Sequence, residues 1–247
     1  MGSNLHLLYS CFNLITSLEF MNIHAFICTR KEPLPDYTQK LLSYLSRCKI
    51  EVTLLINKNT IFEAYAEAIS NTLINDNDIY IFCHDDLDII MDPQQFINVL
   101  VNASRKENAG FFGPAGTTCL SQDAVWWNHE LWAQGKHKGI VLHGEDIRTA
   151  EYTYYGPPGR VACLDGLFLG IAGRALKNID LDKPEYLVDS WDYYDIYYTT
   201  QAHLKGFYNS VEPIFLIHHS FGNLAGRESW EKNRQLFIQN NNLPIQV

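Results

Sequence analysis

The strongest constraint on the fold of this chain is an alternation of two periods. From Met21 the run NIHAFICTR reads as a buried strand; after a turn at Pro33 and Pro35, the apolar residues Tyr37, Leu41, Leu42 and Leu45 keep a helical spacing. A second strand, EVTLLIN, precedes a helix through IFEAYAEAISNTL, with Ile61, Phe62, Tyr65 and Ile69 on one face, and a third strand, DIYIFCHDD, follows. Strand, helix, strand, helix, strand predicts a parallel sheet with right-handed crossovers, an α/β, Rossmann-like front half. Ligands of such sheets bind at the carboxyl ends of the strands, which marks the loops 28–32, 57–60 and 84–88.

Beyond this unit a helix is expected from Pro93 to about Asn108, then a short strand, AGFFGPAG. The stretches WWNHELWAQGKHKGIVLHGED and YTYYGPPGR hold no sustained period and read as a long, shaped loop region. Regular structure resumes with RVACLDGLFLGIAGR as one apolar strand, the helix YYDIYYTTQAHLKG, the strand VEPIFLIHH, and a glycine-hinged loop into a final helix. One domain over 21–247 is the economical reading, with residues 1–20 a leader or peripheral segment: they lack a basic n-region, carry Glu19, and are too short and interrupted to span a bilayer.

Acidic residues outnumber Lys plus Arg by 28 to 19, a formal charge of −9, which argues against nucleic acid or an anionic membrane surface as a partner. An anionic ligand therefore needs a metal or a few placed cations. The cysteines at 11, 28, 48, 83, 119 and 163 form no C-x-x-C pair, and several sit in apolar runs, as expected of a reduced, cytoplasmic compartment.

Four polar clusters fall at expected strand ends. His84, Asp85, Asp86 and Asp88 leave the apolar IYIFC; carboxylates so crowded repel unless a cation sits among them, although an Asp-rich turn capping a helix has the same composition. Asp165 and Gly166 interrupt VACLDGLFLGI, where an aspartate is costly to bury unless paired or bound. Asp189, Asp192 and Asp195 open a helix beside Trp191, Tyr193 and Tyr194; capping accounts for at least one, and a general base in an aromatic pocket would account for another. His218 and His219 end the strand IFLI and point to opposite faces, so one at most enters a site. Neither G-x-G-x-x-G nor a Walker loop is present.

The order of these motifs resembles the GT-A-fold glycosyltransferases, in particular the family-2-like branch that includes the StrF-type domain of streptomycin biosynthesis, from about Ile23 to about Trp230. IYIFCHDDL matches the metal motif in its His-x-Asp variant, VACLDGLF the V-x-x-x-DG-x-F strand, Tyr194-Asp195-Ile196 through Gly206 the acidic helix motif, and His218 through Gly222 the H-x-S-x-G motif. Tyr197 stands where that family's helix motif has a second aspartate. The resemblance implies a single domain with a mixed central sheet flanked by helices, and an inverting, metal-dependent hexosyl transfer from a nucleoside diphosphate sugar to a hydroxyl of a saccharide or other acceptor. It implies Mn²⁺ or Mg²⁺ on Asp86, His218 and His84, with Asp195 as catalytic base. The nucleotide sugar is expected at Cys28, Thr29, Asn57, Asp85, Asp165 and Gly166, and the acceptor at Trp127, Trp191 and Asp192. Trp126 and Trp132 are further candidates for stacking on sugar faces or for anchoring the loop. Gly222 and Gly226 could flank a closing segment, with Arg227 or Lys232 adding charge. A metal-dependent phosphoesterase built on the same ligands and a carbohydrate-binding module without turnover are the competing readings.

Overall fold

The computed structural model describes residues 21–30, 32–220 and 228–247. The expected alternation is present. It runs β1 (Ile23–Thr29), α1 (Asp36–Arg47), β2 (Glu51–Ile56), α2 (Ile61–Ser70) and β3 (Ile79–His84). Thr60 caps α2, its hydroxyl accepting from the Glu63 amide at 3.1 Å. β1 pairs in parallel with β2 on one side and β3 on the other, so Cys28 stands level with Leu55 and with His84.

The chain continues through β4 (Leu87–Ile89), α3 (Pro93–Ser104), β5 (Ala109–Gly113), β6 (Ala115–Thr117) and β7 (Cys119–Leu120). Asp92 caps α3 with Pro93 in its first turn, and the helix ends at Ser104, four residues before the expected Asn108. The region expected as loop holds a short helix, α4 (His129–Ala133), and an antiparallel pair, β8 (His137–His143) and β9 (Glu151–Gly156). Then come β10 (Gly159–Arg160), β11 (Cys163–Leu164), β12 (Phe168–Ala172), α5 (Gly173–Leu176), α6 (Tyr194–Leu204), β13 (Tyr208–Val211), β14 (Leu216–His218), α7 (Glu228–Asn240) and β15 (Ile245–Gln246).

Two main sheets result. The larger, mixed sheet has the order β10-β13-β5-β12-β3-β1-β2, and the smaller runs β11-β6-β8-β14-β4 with β9 on β8. A two-stranded pair of β15 and β7 completes the set. The two long strands expected in the second half, over 160–174 and over 211–219, are each divided between these sheets: β11 and β12 lie in different sheets, as do β13 and β14. Their residues are buried on either side of each break, so apolar content alone gives no sign of the change of sheet. The core is continuous across the elements and includes Phe82, Phe96, Phe112, Phe168 and Phe237. Cys28, Cys48, Cys83, Cys119 and Cys163 are free thiols, and among the described residues no helix is long and apolar enough to cross a membrane.

Candidate active site

Both acidic strand-end motifs lie where the chain leaves one sheet for the other. At His84 the main sheet ends, Asp85 and Asp86 turn, and β4 pairs with β14 in the smaller sheet, opposing Leu87 to His218. At Asp165 to Leu167 the chain makes the reverse passage, from β11 to β12. The two crossings are joined by the His84 amide donating to the Leu167 carbonyl at 3.0 Å. Polar side chains gather there because backbone that is changing partners opens a crevice at the strand ends.

Asp86 occupies the centre of the first crossing. Its Oδ1 lies 3.3 Å from His218 Nε2 and 3.8 Å from His84 Nδ1. One donor atom from each of the three residues falls within 4.8 Å of the others. Asp86 Oδ1 is buried, and among the described residues no hydrogen-bond partner satisfies it. A buried carboxylate oxygen left without a bond, facing two imidazoles, fits a divalent cation, with carboxylate and imidazole as its donor set. Burial alone would lift the Asp86 carboxyl, but the facing imidazoles, His218 foremost, outweigh it and hold it down at about 2. Burial opposes a charge on His218, yet Asp86 and Asp165 together raise its pKa.

The second crossing positions the acid pair. Gly166 lies directly beneath the start of α6: a Cβ there would stand 2.4 Å from Tyr194 Oη and 2.8 Å from Asp195 Cβ, so only glycine allows the helix this close. The Gly166 amide donates to Asp195 Oδ2 at 3.1 Å, and the Gly166 carbonyl accepts from the Tyr194 hydroxyl at 2.7 Å. Further along α6, Thr199 Oγ1 accepts from the Leu164 amide, and the buried Asn209 amide group donates to the Thr199 carbonyl, which fixes the helix against β11. Burial and the neighbouring Asp165 charge raise the Asp195 carboxyl to about 7. Asp165 is itself raised, chiefly by burial, against the opposing charges of His218 and His143. A carboxyl group balanced near neutrality can both take and give a proton at physiological pH.

The helix carrying Asp195 starts under strain. Tyr193 precedes it with φ at +72°, a left-handed conformation rare for a bulky residue, and makes no side-chain cap. Its hydroxyl donates to the carbonyl of Ala124, which is also left-handed, at +52°. Tyr197, in place of a second acid, packs against Phe62 and Tyr198.

The remaining expected residues divide into two groups. The Cys28 side chain is buried beside Tyr65, and its thiol is pushed up to about 12, mainly by burial. Thr29 is buried, Asn57 is exposed with φ at +53°, and the Asp85 carbonyl accepts from the Thr38 hydroxyl. Trp191 lies on this same side: its indole N–H donates to the Asn59 carbonyl, and the Arg30 guanidinium stacks on its ring 3.8 Å from the centroid. Asp192 is buried and accepts from the Ser229 hydroxyl at 2.8 Å, tying α7 to the start of α6. Trp127 packs between Trp126 and Trp230, while Trp126 and Trp132 both meet Tyr155. Lys232 is exposed on α7; Gly222, Gly226 and Arg227, and with them the end of the H-x-S-x-G motif, lie outside the described residues.

Sequence reasoning missed Arg30, Tyr155 and His143. The His143 ring lies 5.7 Å from that of His218, and its Nδ1 is 3.1 Å from the Ser220 carbonyl. Nothing in their local sequence separates them from surface or packing residues.

Residues 36–241 match the model of a family described as "Glycosyltransferase like family". The chain belongs to this family. No curated protein matches the sequence of this glycosyltransferase. Among solved structures, GalNAc-T7 with UDP, GalNAc and Mn²⁺ is similar at a TM-score of 0.51 and 10% identity, over 89% of this chain and 48% of that one. The glycosyltransferase thus spans about half the length of that neighbour, and the likeness is one of fold. A197 from STIV, at 14% identity, matches 78% of this chain and 82% of its own with a TM-score of 0.43. The mixed α/β single domain with a central mixed sheet agrees with a GT-A architecture.

Proposed function

We propose that this glycosyltransferase moves a hexosyl group, with inversion, from a nucleoside diphosphate sugar to a hydroxyl of a saccharide or other acceptor, in glycan or polysaccharide synthesis. The observation that carries the reading is the Asp195 carboxylate held by the Gly166 amide at the crossing that, through the His84 amide on the Leu167 carbonyl, also holds His84 and Asp86. The StrF-type branch is supported by the four ordered motifs.

In this reading Asp195 accepts the proton of the acceptor hydroxyl as its oxygen attacks the anomeric carbon, so the rate climbs with pH as Asp195 ionises through about 7. Asp165 and the Gly166 backbone hold hydroxyls of the transferred sugar. The nucleoside lies along Thr29, Asn57, Asp85 and the Cys28 backbone; Trp191, with Arg30 stacked on it, borders this side rather than the acceptor's. Trp127 borders the acceptor, and Asp192 acts there indirectly by holding α7. His84, Asp86 and His218 hold the cation, and their two imidazoles favour Mn²⁺ over Mg²⁺. Bound there, it supplies the Lewis acid that neutralises the departing diphosphate. The enzyme would act on the cytoplasmic side of such a pathway.

Incubation with a panel of nucleotide sugars, candidate acceptors and Mn²⁺ tests this. Release of nucleoside diphosphate that is abolished in Asp195→Asn, with donor affinity nearly unchanged, is the expected result. Near-normal turnover in that variant would remove Asp195 as the base, and cleavage of simple phosphoesters instead would identify a hydrolase.

A further inference from the structure

Tyr194 has no assigned role in the reading above, yet its hydroxyl is the contact between the candidate metal ligands and the helix that carries the base. The side chain is fully enclosed, with Tyr65 and Tyr198 edge-on to its ring. A phenol has one proton to give, and the Gly166 carbonyl at 2.7 Å takes it. The second contact, His84 Nε2 at 3.0 Å, must then be a bond the phenol oxygen accepts, which requires the proton of His84 to sit on Nε2. Nδ1 is left with its lone pair, and Nδ1 is the ring atom on the Asp86 side, 3.8 Å from Oδ1. That separation exceeds a hydrogen bond.

We propose that Tyr194 is a positioning residue that locks His84 in the Nε2–H tautomer, presenting Nδ1 to the cation and tying that ligand to the first turn of α6. The proposal rests on the metal site described above. A histidine ligand gains orientation and basicity when its other nitrogen donates to a fixed acceptor, and losing such a partner typically weakens metal affinity 10- to 100-fold. Here the acceptor is itself fixed by Gly166, whose amide holds Asp195. One glycine residue, through its amide on one side and its carbonyl on the other, therefore sets both the direction of Asp195 and the orientation of the ligand.

Titration calorimetry of the full chain with MnCl₂ alone, on wild type and Tyr194→Phe, tests this. The expected result is binding to wild type and an affinity at least about tenfold weaker in the variant. Equal affinities overturn the proposal and leave the metal site standing, whereas a wild type that takes no Mn²⁺ overturns both. Long-range ¹H–¹⁵N spectra of metal-free wild type, assigned with His84→Gln, read the tautomer without relying on the folding of Tyr194→Phe. An Nε2–H ring supports the assignment and an Nδ1–H ring overturns it.

Discussion

With Asp195 as the proposed base, activity and stability stand in opposition at one carboxyl. Its pKa is raised from the ordinary carboxylate value to about 7, so the folded state binds a proton that the unfolded chain releases at lower pH. Its contribution to stability is fully present below the unfolded value and is lost as pH rises through about 7. Asp195→Asn, which keeps the shape without the charge, should therefore raise Tm by several degrees at about pH 8 and change it little at about pH 4, readable by thermal denaturation at the two values. Gly166→Ala tests the close approach beneath α6: the added methyl would overlap Tyr194 Oη, so about 1–3 kcal/mol of destabilisation and a loss of turnover are expected together in melting and activity assays. At this scale the sequence was most legible where charge interrupts an apolar strand. His84, Asp86, Asp165 and His218 stood out for that reason, and Asp195 as an acid opening a helix among aromatics. Tyr194 and Arg30 did not, since an aromatic in an aromatic-rich stretch and an arginine after a strand are unremarkable until their neighbours are known.

Among the elements, the first three strands and two helices were readable because each is a separate run with its own period, punctuated by Pro33, Pro35 and Thr60. The strands around Asp165 and before His218 were not. Each is an apolar run whose two parts are buried in different sheets, and burial is all that an apolar run reports. The helix α2 offers a control that is separate from the cation site. Thr60→Ala removes the bond to the Glu63 amide and should cost about 1 kcal/mol, lowering Tm by about 2–4 °C while Mn²⁺ affinity in calorimetry stays the same.

For the whole molecule, a formal charge of −9 opposes an anionic donor, and the cation site gathers Asp86 with two histidines at the crossing where repulsion would otherwise be worst. On the proposed reading Mn²⁺ binds the folded chain and not the unfolded one, so saturating metal should raise Tm, and EDTA should reverse the gain. Asp86 and Asp165 raise the His218 pKa, so on the proposed reading its proton competes with the cation, and Mn²⁺ affinity should climb as the pH rises past the ordinary histidine range, readable in calorimetry. The left-handed Tyr193, bonded to the left-handed Ala124, adds a constraint of another kind. It joins the tryptophan-bearing loop to the residue before the base's helix, so the two cannot diverge independently. Grafting the 118–134 loop from a relative to alter the acceptor would have to carry over the 190–195 segment as well, and lineages that change acceptor should exchange both segments as one block.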